Sequence, residues 1–408
     1  MTEPDAQPPN RRREKLIGLG LLLAVLVALP LISTQLRVPS DRADAPPIER
    51  TPTPPPTGSD IDPAHVAEII SVDFADRRHG FALWSHCVEK ASATRCRQRL
   101  LITSDGENWT VRSFPGSDFE SQGDAGDDVV ALGKCQVILD RAHPEYHFEY
   151  HFRLFSDDCG RTWVRVPLKP AGSISEIPEG ATLASPCTGE RDVVDDCDGG
   201  RLIVTMPDSG RRTWLATSPI LEDPSPESVP ADDGAWWVSG RDPATGRRGV
   251  AVSRDQGRSW SVSRLPRWQA RQVHQLSITM RGREAYAVAV GPLHDVRYGL
   301  LAIFHSQDGG ETWEQTWLAS PDKSPRSIGG SPIAGPRGIL IVADESVPVH
   351  HRSINGGRTF DAGSFNQPIS WPRRTRGGYL ATADGPPRSW YRAVDGLRWQ
   401  KMNFPSGP

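Results

Sequence analysis

Apolar residues are arranged along this chain in two contrasting ways. Leu16 to Ser33 reads LIGLGLLLAVLVALPLIS, an uninterrupted apolar run without a charge. About 20 helical residues cross a hydrocarbon layer about 30 Å thick, so the run predicts one membrane-spanning helix over 16–36. Pro30 stands near its far end, where a kink is tolerated. After this segment no long stretch keeps a 3.6-residue apolar period, and 38 glycines and 37 prolines punctuate the sequence throughout. Such a pattern predicts many short strands joined by turns, with little helix. A chain of 408 residues is long for one compact core, which leaves two domains or one large repeat fold, and the composition favours the repeat fold.

Charge gives the first segment an orientation. Arg11, Arg12, Arg13 and Lys15 precede the apolar run, so the positive-inside rule keeps residues 1–15 in the cytoplasm and places everything beyond 36 outside. Ala43-Asp44-Ala45 has the form of a signal-peptidase site, but it lies far beyond the run and Pro46 follows it. Both readings export the remainder. The expected location is therefore the cell membrane, single-pass, with an extracytoplasmic head. Residues 37–62 include APPIERTPTPPPTG, a polyproline-like stalk that cannot bury apolar surface and that sets off a head over 63–408.

Six cysteines fall as three close pairs, Cys87 with Cys96, Cys135 with Cys159, and Cys187 with Cys197. An even count outside the cytoplasm predicts disulfides, and pairing of neighbours would staple individual hairpins or blades. The absence of any CxxC spacing argues against a zinc site.

Self-similarity is the strongest signal in the head. SQDGGETW (306–313), SRDQGRSW (253–260), SDDCGRTW (156–163) and SINGGRTF (353–360) share one register. Looser copies are TSDGENW ending at Trp109, PDSGRRTW ending at Trp214 and AVDGLRW ending at Trp399. The aromatic residues Trp109, Trp163, Trp214, Trp260, Trp313, Phe360 and Trp399 lie roughly 39 to 54 residues apart, the length of a four-stranded propeller blade. Each copy makes sense as a hairpin turn. Asp308 and its equivalents accept hydrogen bonds from turn N–H groups, Gly310 takes a backbone conformation costly for other residues, and Trp313 buries a ring between sheets.

The pattern S-x-D-x-G-x-T-W resembles the Asp-box, or bacterial neuraminidase repeat, of sialidase-like, sortilin-like and photosystem II assembly-factor-like propellers. ISVDFADRRHGFALW (70–84) and QLSITMRGREAYAVAVG (275–291) look like the opening of a blade in the assembly-factor-like group. The resemblance covers the whole head and implies an all-β, seven-bladed propeller, with six or eight blades left open by the irregular boxes at Asp105, Asp208 and Asp395. It implies an architectural role for Asp158, Asp255, Asp308 and Asn355 on the blade periphery, away from the ligand-binding mouth. Asn355 departs from the usual Asp, yet an amide can still cap the turn.

A sialidase-type site needs an arginine triad, a tyrosine paired with a glutamate, and an aspartate acid/base. The family's [FY]-R-I-P motif is missing; the nearest strings are VRVP around Arg165 and LPRW around Arg267. No catalytic, metal or cofactor residues are therefore assigned. A net charge of -3 gives no broad basic field and argues against nucleic acid as a partner. Four further constellations have bland readings. PEYHFEYHF (144–152) reads as a strand with Glu145, His147, Glu149 and His151 on its wet face, and DVVDDCDGG (192–200) as a solvated hairpin tip. His350 and His351 read as loop or strand-edge residues. The pairs Arg211–Arg212, Arg247–Arg248 and Arg373–Arg374 read as dispersed surface salt-bridge partners. The expected function is a membrane-anchored, non-catalytic propeller that binds a protein or glycan through its central mouth. The alternative is a carbohydrate-active enzyme with its site assembled there.

Overall fold

The computed structural model describes residues 66–405 except 91–92, 117, 122–126, 143–149, 187–199, 269–271, 294–295, 346–348, 364, 368 and 384–387. The expected membrane helix and stalk lie outside the described residues, as do Cys187, Cys197, His147 and most of the 192–200 segment. Among the described residues there is no α-helix, and none long and apolar enough to cross a membrane.

Among the described residues the head is built of seven sheets, six of four strands and one of five. Blade 1 comprises Val66–Phe74, Gly80–Lys90, Ala93–Thr103 and Thr110–Arg112, with Asp118–Ser121 added alongside the third strand. Blades 2 to 7 follow over 128–166, 173–215, 222–264, 275–318, 329–363 and 370–401. The architecture is the all-β seven-bladed propeller that the repeat implies. In six blades the strands run outward in sequence order, each antiparallel to the last.

Neighbouring inner strands lie side by side around the centre and are stitched by side chains. Val129 and Ala131 of blade 2 donate their N–H groups to Ser71 Oγ (3.1 Å) and Asp73 Oδ2 (2.8 Å) of blade 1. Ala334 N donates to Thr279 Oγ1 across the seam of blades 5 and 6 at 3.1 Å.

Because each blade is covered on both faces by its neighbours, its middle strands need not alternate. In Glu284–Leu293 every residue from Ala285 to Gly291 is buried. Strand pairs there read as continuous apolar runs, which is why periodicity alone does not reveal them.

Blade 3 differs. Its fourth strand is Ser173–Ile174, which precedes the rest of the blade in sequence and pairs in parallel with Arg212–Leu215. Ala171 N donates to Arg212 O (3.0 Å), Trp214 N to Gly172 O (3.3 Å) and Ala216 N to Ile174 O (2.8 Å).

The ring closes between blades 7 and 1 without an exchanged strand. Trp390 Nε1 donates to Ile69 O at 2.8 Å, Arg373 donates to Val72 O, and Arg392 donates to Arg77 O while its guanidinium lies 4.0 Å over the Phe74 ring. Phe404, beyond the last strand, packs on Trp109 with ring centroids 5.0 Å apart.

Among the described residues two disulfides are present. Cys87–Cys96 bridges directly opposed residues of the second and third strands of blade 1. Cys135–Cys159 ties the first turn of blade 2 to its box.

Candidate functional site

The strict boxes share one hydrogen-bond plan. In blade 5, Asp308 Oδ1 accepts from Ser306 Oγ (2.7 Å), Glu311 N (3.0 Å) and Thr312 N (2.9 Å), Oδ2 accepts from Thr312 Oγ1 (2.5 Å), and Ser306 Oγ accepts from Gly310 N (2.8 Å). Asp158 and Asp255 repeat this with Thr162 and Ser259. The charge is stabilised by these donors, since hydrogen bonds to an ionised carboxylate favour it. Thr162, first through its N–H and then its hydroxyl, holds Asp158 at about 2, and the Ser259 hydroxyl and N–H do the same for Asp255.

Asn355 keeps the plan with one reversal. Its Oδ1 accepts from Ser353 Oγ (2.9 Å) and Thr359 N (3.0 Å), while its Nδ2 donates to Thr359 Oγ1 (2.7 Å) where an aspartate would accept. Asp105 substitutes Asn108 for the closing threonine and Thr103 for the serine. Asp395 accepts from Leu397 N (2.9 Å) and Arg398 N (3.1 Å), with Ala393 in the serine position.

Asp208 is placed differently from the expectation. PDSGRRTW lies between the second and third strands of blade 3, not between third and fourth, and Asp208 accepts from Ser209 Oγ (3.0 Å). Trp214 is itself a strand residue there. The aromatic rings also depart from expectation: Trp399 is fully buried, whereas the other six are half-buried, although Trp109, Trp163, Trp260, Trp313 and Phe360 still pack on clusters shared with the preceding blade.

Each box turn also presses a glycine against the blade before it. A Cβ on Gly310 (φ 93°) would stand 2.5 Å from the Trp237 ring. Gly160, Gly210, Gly257, Gly357 and Gly396 lie likewise against Leu100, Phe155, Ile177, Ile303 and Ile333, and Gly106 lies against Arg392.

The box turns and the first turns of the blades share one face, since two antiparallel strands separate them. On that face a cavity of about 520 Å³ opens where blades 1, 3, 4 and 7 meet. Its lining includes Arg77, Glu179, Asp232, Gln256, Arg374 and Arg376, with Ile177, Pro178, Pro230 and Trp236 as apolar wall. Gln256 belongs to the box of blade 4, so the boxes are not wholly remote from the mouth.

Arg374, 14% exposed, reaches Asp232, 74% exposed, at 2.8 Å. Arg376 donates to Ala131 O (3.0 Å) and to Ala181 O, bridging blades 2, 3 and 7, and burial lowers its pKa against the pull of Asp73. Burial pushes the Asp73 carboxyl up, against the charges of Arg373 and Arg376. It also pushes Glu227 up, against the Ile278 N–H.

Two sequence readings are corrected here. Arg373 and Arg374 are not a surface pair but sit on the inner strand of blade 7, Arg374 at the mouth. His350 and His351 are not loop or edge residues. Both are buried in the third strand of blade 6, because that strand is covered on both sides. His350 stacks on Phe365 with centroids 3.7 Å apart, and burial pulls its pKa down to about 4. Arg376, Asp232 and Glu179 escaped the sequence reading altogether. The run RRTRGG (373–378) was a visible basic cluster, but nothing local says that it lies at the ring centre. Among the described residues no cluster of three or more His, Cys, Asp or Glu could hold a metal ion.

The BNR/Asp-box repeat family matches residues 304–315. No curated protein matches the chain. Among solved structures, YCF48 bound to a D1 peptide is similar at 17% identity, over 68% of this chain and 90% of that one, with a TM-score of 0.34. YCF48 from Cyanidioschyzon merolae is similar at 15% identity over 71% and 92%, with a TM-score of 0.31. An α-L-arabinofuranosidase from Fusarium graminearum is similar at 12% identity over 79% and 89%, with a TM-score of 0.36. From its own seven sheets, this chain is a seven-bladed β-propeller, with a BNR/Asp-box repeat over residues 304–315.

Proposed function

We propose that the propeller is a binding module, held outside the cytoplasm by a membrane anchor over 16–36, that takes a protein or glycan ligand in the mouth on its box face. One observation carries this reading: the mouth is a cavity of about 520 Å³, and two of its three arginines, Arg374 and Arg376, are already engaged in holding blades together. Arg376 is bonded to two backbone carbonyls and Arg374 to Asp232. No tyrosine is among the described lining residues. Tyr286, on the second strand of blade 5, donates its hydroxyl to Gly338 O at 2.7 Å and is pushed up by burial, the opposite of what a nucleophile needs. The Pro-rich segment and the apolar run support the anchored arrangement through composition alone.

A second reading, glycoside hydrolysis, has Glu179 and Asp232 in its favour, two carboxylates on one cavity. The test runs the full chain, in a polyoxyethylene detergent, against cell-envelope extract and beside a panel of fluorogenic glycosides. Retention of a protein or glycan that Asp232→Lys abolishes supports binding. Turnover of any glycoside that Glu179→Gln or Asp232→Asn removes would overturn it.

A further inference from the structure

Blades 4 and 7 begin with the same irregularity. In each, the register of the inner strand slips around a residue in the left-handed region followed by a proline: Asp223 (φ 45°) before Pro224, and Trp371 (φ 49°) before Pro372. Aspartate tolerates that conformation, and Asp223 also bonds Arg241 at 2.5 Å. A bulky residue there is a conformational outlier with no such local compensation. The bulge therefore does not call for tryptophan; blade 4 makes it with a residue better suited to the backbone.

The Trp371 backbone is pinned from beneath, because Gly330 of blade 6 approaches it so closely that a Cβ would lie 2.7 Å from Trp371 C and from Pro372 N. The side chain is directed outward and remains 45% exposed. It meets Tyr298 of blade 5 at right angles, centroids 5.8 Å apart. The two rings meet across the start of blade 6, where residues 326–328 turn back to pair with blade 5 through Leu300 N to Arg326 O (2.9 Å) and Ile328 N to Tyr298 O (3.0 Å). Arg297, exposed, covers one face of Tyr298 at 5.3 Å. Trp371 starts a first strand and Tyr298 lies near the start of a third, so this corner is on the face away from the boxes and the mouth.

We propose that Trp371, Tyr298 and Arg297 form a second binding site, for a glycan, on the face opposite the mouth. A pyranose ring carries an apolar C–H face and a rim of hydroxyls. The open Trp371 ring suits the first, and the guanidinium of Arg297, which only donates, suits hydroxyl or carboxylate oxygens on the second. A protein partner would want a contiguous apolar patch, but among the described residues the other exposed aliphatic side chains are scattered over several blades: Ile354 and Val394 on box turns, Ile220 after blade 3, and Val164, Val262 and Leu318 on the outer strands of blades 2, 4 and 5. A polyproline ligand would want a groove between rings, whereas here one ring face is open.

The test is migration of the full chain, in a polyoxyethylene detergent, through native gels cast with hydroxyethyl cellulose, xylan, glycogen or hyaluronan. The expected result is retardation in at least one gel, weakened about tenfold or more by Trp371→Asp and only partly by Trp371→Phe. Trp371→Asp should melt no lower than the parent, since it copies the residue used at the matching bulge, so a loss of binding is not a loss of fold. Asp232→Lys should leave the retardation unchanged, which separates this site from the mouth. Free migration in all four gels, retardation that survives Trp371→Asp, or retardation lost to Asp232→Lys would each overturn the proposal. So would Trp371-dependent binding of a polyproline decapeptide in the absence of any polysaccharide binding.

Discussion

At the seam between blades 4 and 5, the box glycine Gly310 lies against the flat ring of Trp237, while at the seam between blades 7 and 1, Gly106 lies against the end of the Arg392 side chain. The other five seams resemble the first, with leucine, isoleucine or phenylalanine behind the glycine. The closing seam is also where the chain joins its two ends without sharing a strand. Apolar contact alone is non-directional, whereas an arginine bonded to the Arg77 carbonyl and laid on Phe74 has a required orientation. Behind the box glycine, six seams are thus packed and the seventh is latched by a flexible side chain.

The same substitution at both places measures the difference. Gly310→Ala adds left-handed strain and drives a methyl into an immobile ring, and it should cost about 3 kcal/mol in denaturant unfolding. Arg392→Met removes the carbonyl bond and the cation–π contact but keeps much of the stem, with an expected cost of about 2 kcal/mol and its effect concentrated in hydrogen exchange of blades 1 and 7. Gly106→Ala crowds Arg392 Nη1, at 2.8 Å, which can swing away, and touches the Arg77 carbonyl at an ordinary 3.4 Å; the backbone term remains, about 1 kcal/mol. A Gly106→Ala protein as unstable as Gly310→Ala would show that the latch is as rigid as the packed seams.

The smallest effect concerns pH. His350 is neutral in the fold with its pKa lowered by burial to about 4, so the unfolded chain binds the proton first as acid is added. Its contribution is present above the unfolded value of about 6.5 and is lost as pH falls toward 4. The box carboxylates, depressed to about 2 at Asp158 and Asp255, add their loss only below about pH 4. Melting curves of His350→Gln should be flatter than the parent between these two regions, with the steeper fall below pH 4 unchanged.

The boxes at Asp158, Asp255, Asp308 and Asn355 were legible because every group in them bonds within a few residues of itself. Asp208 has the right letters and the wrong hairpin, since a local string cannot say whether its outer neighbour will come from downstream or, as here, from upstream. The mouth was illegible for the opposite reason. Residues 75–77, 177–180, 230–236 and 374–376 come from four blades, and only the closed ring makes Arg376 a bridge between Ala131 and Ala181. His350 and His351 misled because adjacent residues on opposite faces are usually half wet, and a blade flanked on both sides has no wet face.

The inverted edge of blade 3 bears on the order of assembly. A chain that emerges N-terminus first completes every other blade from the axis outward, each new strand finding its partner already made. Ser173–Ile174 arrives before its partner and must wait for Arg212–Leu215, so blade 3 has no intermediate in which it is merely unfinished. A pause in synthesis between these segments would leave an unpaired edge open to the solvent.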